Sequence, residues 1–208
     1  MKRAFDIGVS FIGLVLLFPV LVVVALAVRL GSGSPVLFRQ QRMGKDFRRF
    51  AIYKFRTMIV EAPSKGDSIT CAGDNRVTWI GAILREFKVD ELPQLMNVLN
   101  GDMSFVGPRP EMPEFVALFE QDYRDILRVR PGITDLASLK YHNEAEILGQ
   151  FDNPRDAYVR RILPDKIALA KEYVQRSSLV FDIAIIVKTV MRLAHLDLWK
   201  RPADGLAE

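Results

Sequence analysis

A long uncharged segment opens the pattern of hydrophobic and polar positions. No charged residue occurs between Ile7 and Val28. A helix over that stretch would measure about 33 Å at 1.5 Å per residue, which is enough to cross the hydrocarbon layer of a bilayer. The run is long for a signal peptide, and no clear small-residue cleavage site follows it. We therefore expect a membrane helix that the protein retains.

Basic residues flank this segment on both sides. Lys2 and Arg3 precede it, and a second basic set follows it: Arg29, Arg39, Arg42, Lys45, Arg48 and Arg49. Positive flanks favour the cytoplasmic side, and a single straight span cannot place both ends there. Pro19 lies near the middle, where it would kink or break a helix. The residues alone leave two arrangements open: a re-entrant helix broken at Pro19, and a kinked helix that crosses once.

The pattern of the remaining chain predicts an α+β fold that is predominantly helical. Val36–Gln40 and Phe50–Phe55 flank a polar loop and predict a small β-hairpin. Apolar residues at helical spacing then predict amphipathic helices. At a bilayer, one or two of these helices would lie in the interface. The apolar stripes fall within 79–87, 92–99, 115–127 and 183–193.

This organisation predicts two units. Residues 1–31 form the membrane helix, and residues 32–208 form a cytoplasmic domain with interfacial helices. Within the second unit, Glu61–Asn75 is rich in Gly, Ser and Asp and is predicted to be a loop.

Composition limits the kind of partner and site. Half of the 208 residues are hydrophobic, which is typical of a folded domain. The net charge of +4 favours anionic partners, and nucleic acid, anionic lipid and phosphorylated substrates all satisfy it. Cys71 is the only cysteine, and His142 and His195 lie far apart in the chain. These counts exclude an intrachain disulfide and argue against a metal site built from cysteine or histidine.

Two adjacent carboxylates are the main candidates for chemistry. Pro93 suits the first turn of a helix that carries Leu95 and Leu99, so Asp90 and Glu91 fall at its N-terminus. A carboxylate there can simply cap the helix. It can also attack phosphorus and form an acyl phosphate, while its neighbour holds Mg²⁺. The residues alone leave both interpretations open.

A diphosphate would need cations to approach this acidic pair. The chain offers Arg85, Arg109 between Pro108 and Pro110, and Arg130 before Pro131. The planar guanidinium group suits two-pronged contacts with phosphate. The combination of arginines with the acidic pair favours a phosphate-transfer site more strongly than any one of its members.

Together these segments resemble the bacterial sugar transferase family, the monotopic polyprenyl-phosphate phosphoglycosyl transferases. The resemblance rests on Lys2–Asp6 before the apolar run, Tyr53–Met58, the long block Asp90–Glu111, and Arg130–Thr134. It implies that the membrane element is a re-entrant helix broken at Pro19. Phe18 stands where many members have a serine before that proline.

The resemblance also implies a reaction. The residue matching the family's nucleophile is Asp90, which would take a sugar-1-phosphate from a UDP-sugar and release UMP. Polyprenyl phosphate, usually undecaprenyl phosphate, would then accept the phosphosugar, in the first membrane step of glycoconjugate or polysaccharide synthesis. Mg²⁺ would be required, with Glu91 as its ligand. Arg56, Arg85, Arg109 and Arg130 would bind substrate phosphate groups.

The implied setting is the cytoplasmic face of the bacterial inner membrane. Membrane lipids and the two substrates are the expected partners, a homo-oligomer is allowed, and nucleic acid is not expected. The alternative is a membrane-tethered basic scaffold or nucleic-acid-binding protein, which the basic hairpin suggests, but no nucleic-acid-binding motif is recognisable. Many members have Gly-Leu-Trp-Gln where this chain has Asp135–Ser138, so the resemblance names neither the sugar nor the glycan.

Overall fold

The computed structural model describes residues 1–60, 69–71 and 73–194. It is mostly helical, as the sequence predicts, and it contains two small sheets, of which the sequence predicts one. The strands are β1 (Leu37–Met43), β2 (Arg49–Phe55), β3 (Ser104–Val106) and β4 (Gly132–Thr134). The helices are α1 (Lys2–Ser32), α2 (Trp79–Glu86), α3 (Gln94–Asn100), α4 (Pro113–Leu118), α5 (Glu120–Ile126), α6 (Leu136–Lys140), α7 (Glu144–Leu148), α8 (Pro154–Ala157), α9 (Leu163–Arg176) and α10 (Leu179–Leu193). Most of the predicted loop Glu61–Asn75 lies outside the described residues.

The predicted hairpin is confirmed and is longer than expected. β1 and β2 pair antiparallel, from Leu37 opposite Phe55 to Met43 opposite Arg49. The predicted first strand ended at Gln40 because the polar residues that follow resemble a loop. In the fold they continue the ladder up to a tight turn at Lys45–Phe47.

The second sheet is not apparent in the sequence. β3 and β4 pair in parallel over three residues each, too few to produce a periodic pattern. Two glycines allow their backbones to meet. A Cβ added at Gly107 would lie 2.3 Å from the carbonyl oxygen of Arg130, and one at Gly132 would lie 2.1 Å from the backbone nitrogen of Gly107. Only a residue without a side chain fits either position.

The main hydrophobic core lies where α4, α5 and α9 pack together. Phe115, Ile126 and Leu163 are at most 2% exposed and lie at its centre. The predicted stripe over 115–127 therefore faces this core, except for Leu118, which is 60% exposed. The loop that precedes α4 packs against this core through Met112.

Helix α1 spans Lys2–Ser32 and contains Pro19. A proline inside a helix removes one backbone donor and its ring clashes with the preceding turn. The break at Pro19 and the re-entrant path stay predictions. Among the described helices, α1 is the one that is long and apolar enough to cross a membrane.

Both ends of α1 are held by the same folded unit. Near its start, Arg3 donates to the carbonyl oxygens of Val98 at 2.6 Å and Leu99 at 2.8 Å. Near its end, Val28 is fully buried in a cluster with Phe55 of β2 and with residues of α2. The apolar side chains between these ends are largely exposed in this structure.

The last helix, α10, exposes part of its apolar stripe. Ile183, Val187 and Val190 are about half exposed. Asp182, on the same helix, is buried. It accepts hydrogen bonds from Lys2 at 2.5 Å and from the Tyr173 hydroxyl at 2.6 Å. A buried carboxylate is tolerated because a cation and a hydroxyl satisfy it.

Candidate active site

Asp90 and Glu91 lie in a short 3₁₀ turn, Val89–Glu91, one turn before α3. Lys88 introduces this turn with a left-handed backbone, φ 56°. The N-cap position of α3 is occupied by Pro93, and no side chain caps it. Helix capping by Asp90, the simpler of the two interpretations left open by the sequence, is therefore not observed.

Glu91 is held between two cations. Its Oε1 accepts hydrogen bonds from Lys54 Nζ at 2.7 Å and from Arg109 Nη2 at 2.8 Å. Burial opposes ionisation of this carboxyl, but Arg109 and Lys54 together outweigh it, so its pKa lies well below the ordinary range. Glu91 is thus a fixed negative charge at neutral pH.

Asp90 has the opposite environment. Its side chain is buried, with the residue 7% exposed, and its Oδ1 has no hydrogen-bond partner among the residues that the structure describes. Burial raises its pKa, the charge on Glu91 adds to the rise, and Lys54, Lys88 and Arg85 oppose it. A buried acceptor without a donor is costly and is found at sites where function requires it.

A stiff loop presents Arg109 to this pair. The backbone nitrogen of Arg109 donates to Asp135 Oδ2 at 3.2 Å, which fixes the loop against the start of α6. Prolines on both sides restrict the backbone further. Arg109 is therefore positioned before any substrate arrives.

Glu111 fixes the other end of the same loop. Its carboxylate accepts hydrogen bonds from Arg42 at 3.2 Å, from the Tyr158 hydroxyl at 2.5 Å and from the backbone nitrogen of Met112 at 2.9 Å. These contacts connect β1, the loop and the helical core in one network.

The structure brings together some of the predicted phosphate-binding residues and separates others. Arg109 contacts Glu91 directly, and Arg85 interacts electrostatically with Asp90 while its Nε donates to Thr57 Oγ1 at 2.8 Å. Arg130 donates to the carbonyl oxygen of Gly101, which follows the far end of α3. Arg56 donates to the last turn of α1. The phosphate-binding roles of all four remain predictions.

Sequence reasoning missed Lys54, although it lies inside the segment Tyr53–Met58 that carried the resemblance. A lysine near the end of a strand is usually a surface residue. Its role depends on Glu91, 37 residues away. Arg42, Glu111 and Tyr158 were missed for the same reason, since their contacts join distant segments.

The acidic pair suits a magnesium ion that is shared with a substrate. In the described parts of the chain, no group of three or more His, Cys, Asp or Glu side chains could hold a metal. Mg²⁺ is usually held by one or two carboxylates together with phosphate oxygens and water. Asp90, with its unpartnered Oδ1, and the adjacent Glu91 supply the one or two carboxylates that such a site requires.

We expect Asp90→Asn to leave thermal stability equal or higher at about pH 7.5. The folded-state pKa of Asp90 is raised, so folding becomes less favourable as pH rises through that value and the residue ionises. Removing the charge should raise the melting temperature by a few degrees, since 1 kcal/mol corresponds to about 2–4 °C at this size. The difference should shrink toward about pH 4.

Thermal unfolding in detergent at several pH values measures this effect. The exposed Asp125 supplies the matched control Asp125→Asn, for which no such pH-dependent gain is expected. A clear loss of stability in Asp90→Asn at neutral pH would show that the carboxylate is a structural group.

Comparison with known proteins agrees with the resemblance seen in the sequence. The profile of the bacterial sugar transferase family matches residues 1–195. An exopolysaccharide production protein of Rhizobium leguminosarum bv. phaseoli is 42% identical over 198 residues, covering 92% of this chain and 94% of that protein.

Two further relatives are longer. The UDP-N-acetylgalactosamine-undecaprenyl-phosphate N-acetylgalactosaminephosphotransferase of Aeromonas hydrophila is 39% identical, over 91% of this chain and 42% of that protein. The UDP-glucose:undecaprenyl-phosphate glucose-1-phosphate transferase of Escherichia coli K12 is 38% identical, over 92% of this chain and 40% of that protein. The chain thus spans less than half the length of these two relatives. With nearly all of it matched by the family profile, the chain belongs to the bacterial sugar transferase family.

Proposed function

We propose that this protein transfers a sugar-1-phosphate from a UDP-sugar to polyprenyl phosphate, with undecaprenyl phosphate as the acceptor. The observation that carries the proposal is the buried, unpartnered Asp90 carboxylate beside a glutamate fixed by two cations. The names of the Aeromonas and Escherichia coli relatives describe reactions of this class.

In the first step, a carboxylate oxygen of Asp90 attacks the phosphorus that bears the sugar. A bond forms between that oxygen and phosphorus, the bond from phosphorus to the bridging oxygen breaks, and UMP leaves with the electron pair. The sugar phosphate remains on Asp90 as an acyl phosphate. Burial of Asp90 supports this role because a desolvated carboxylate is a stronger nucleophile and water is kept from the intermediate.

In the second step, a phosphate oxygen of the polyprenyl phosphate attacks the same phosphorus. The acyl phosphate bond breaks, Asp90 regains its carboxylate, and the product is a polyprenyl diphosphate sugar. Both steps exchange one phosphate–oxygen bond for another, so the enzyme needs no oxidant or reductant.

The neighbouring residues would control charge. Lys54 and Arg109 hold Glu91 in place and offset the repulsion that two carboxylates would exert on a diphosphate. Mg²⁺, held by Glu91, would neutralise the charge that develops on the leaving phosphate. Arg85 and Asp90 influence each other electrostatically, and Arg85 would contact the same substrate.

The membrane placement that we propose is re-entrant, with residues 1–31 as the membrane element and residues 32–208 on the cytoplasmic face of the inner membrane. Support comes from the two ends of α1, because Arg3 and Val28 contact the same folded domain. Ends that both contact one domain lie on one side of a bilayer. The exposed apolar faces of α2 and α10 would then lie in the interface.

A basic scaffold or nucleic-acid-binding protein remains the alternative from the sequence, and the site does not favour it. Neither function requires Lys54 and Arg109 to converge on one buried carboxylate. Nucleic-acid binding would also weaken steeply with salt and would survive the loss of Asp90.

Incubation with UDP-sugars in the absence of acceptor should leave a phosphosugar on Asp90. Intact-protein and peptide mass spectrometry after exposure to a panel of UDP-sugars would identify the residue and the donor together. Asp90→Asn should form no adduct and should release UMP at least about a thousandfold more slowly, while Asp125→Asn should behave like the wild type. Normal UMP release by Asp90→Asn would contradict the mechanism.

Glu91→Gln should weaken the dependence of turnover on Mg²⁺. The amide keeps the size of the side chain but lacks the charge that binds a hard cation. Initial rates measured over a magnesium titration should give a half-saturating concentration at least about tenfold higher than that of the wild type. Glu120→Gln, on an exposed residue of α5, is the control. An unchanged titration curve in Glu91→Gln would exclude Glu91 as the ligand.

Cysteine labelling tests the topology. In a Cys71→Ser background, Ala4→Cys and Arg39→Cys place single thiols before and after the apolar part of α1, both at exposed positions. A membrane-impermeant maleimide should label neither variant in intact spheroplasts and both after lysis, because re-entry keeps both ends inside. Labelling of Ala4→Cys alone in intact cells would show that α1 crosses the membrane once.

A further inference from the structure

Arg56 has an unusual environment for a buried arginine. The residue follows β2 and is 5% exposed. Its Nη2 donates to the carbonyl oxygen of Ser32 at the end of α1. Its Nε and Nη1 have no partner among the residues that the structure describes. A guanidinium carries five N–H donors, so several of them are left without an acceptor.

Among the described residues, no carboxylate balances this charge. Within residues 1–60, 69–71 and 73–194, Arg56 forms no ion pair, whereas Arg42 faces Glu111 and Arg109 faces Glu91. The neighbouring charge that acts on Arg56 is a second cation, Arg29. Burial first and Arg29 second lower the pKa of Arg56. Two neighbouring guanidinium groups without an anion are expected to attract one.

Capping of α1 explains only part of this arrangement. A cation beside the last carbonyls of a helix is favourable, and Ser32 supplies one such acceptor. It does not account for Nε and Nη1, because a buried donor without an acceptor is destabilising. An oxyanion along one edge of the guanidinium would accept from one of these two groups and from the second N–H of Nη2.

The location indicates where that anion comes from. Arg29 lies in the last turn of α1, next to Leu30, which is 86% exposed, and the neighbouring helix α2 begins with Trp79, which is 72% exposed. A tryptophan and a basic residue beside the end of an apolar helix are typical of the headgroup layer of a bilayer. The anions concentrated in that layer are lipid phosphates.

We propose that Arg56 and Arg29 bind the phosphate group of a membrane lipid where α1 meets the headgroup layer. The site rests on the membrane placement proposed above and does not depend on the chemistry of Asp90. Two lipids carry the required group: a polyprenyl phosphate, in which case the site holds the acceptor, and an anionic phospholipid of the bilayer.

Lipid retention by the full chain tests the proposal. The protein is purified in dodecyl maltoside, a detergent without phosphate, and exposed separately to undecaprenyl phosphate, undecaprenol and phosphatidylglycerol. Native mass spectrometry measures the bound fraction of each. We expect retention of at least one phosphate-bearing lipid and about tenfold weaker retention of undecaprenol, the value that corresponds to about 1.4 kcal/mol. Tighter binding of undecaprenyl phosphate identifies the acceptor as the ligand, and tighter binding of phosphatidylglycerol identifies a bilayer lipid.

Variants distinguish lipid binding at this site from nonspecific attraction of anionic lipids to a basic protein. Arg56→Gln should weaken retention about tenfold, whereas Arg49→Gln, at the opposite end of β2, makes the same charge change at an exposed residue and should not. Arg29→Gln should weaken retention several-fold while leaving the contact between Arg56 and Ser32 in place, which covers the case in which Arg56→Gln does not fold.

Three results would overturn the proposal. They are equal retention of undecaprenol, equal retention by Arg56→Gln and Arg49→Gln in folded protein, and displacement of the lipid by inorganic phosphate at the same concentration. The assay uses no sugar donor, so its failure is distinct from a failure to form the adduct on Asp90.

Discussion

The clamp of Lys54 and Arg109 on Glu91 is the interaction on which the rest of the site depends. It joins the end of β2, the turn before α3 and the Pro-Arg-Pro loop at one carboxylate oxygen. A buried carboxylate would otherwise be neutralised by its surroundings, because desolvation favours the protonated form. With two cations in contact, Glu91 stays charged, and its charge in turn raises the pKa of Asp90. Two neighbouring carboxylates therefore acquire different properties from different neighbours.

The residues around the site hold the Arg109 loop in place. Glu111 ties the Arg109 loop to Arg42 and Tyr158, and Asp135 fixes the loop from the side of α6. Each of these side chains forms at least one hydrogen bond within the network, so the network resists displacement of the loop. Preorganisation of this kind favours charge stabilisation in a reaction, since little reorganisation is needed when the substrate binds.

The same logic extends to the membrane helix. Lys2 reaches Asp182 of α10 and Tyr173 of α9, so the first residues of α1 are tied to the last helix that the structure describes. At its other end, α1 packs on β2 and α2, the elements that lead to Lys54 and Arg85. The position of α1 and the position of the acidic pair are thus connected through the fold. In the proposed function, this connection would set the height of the site above the bilayer, where a soluble nucleotide-sugar meets a lipid phosphate.

The sequence by itself determined the features that depend on neighbours in the chain. These local features are the apolar run, the hairpin and the placement of Asp90 and Glu91 in one turn. Each depends on side-chain periodicity or on proline positions within a short stretch of consecutive residues. The segments that carry the family resemblance were recognisable for the same reason.

Only the tertiary structure decided which distant groups meet. Lys54 and Glu91 are 37 residues apart, and Lys2 and Asp182 are 180 apart. Arg130 lies at the far end of α3, although its motif suggested the same site as Arg109. Long-range contacts of this kind come from packing of whole elements, and no short stretch of sequence encodes them.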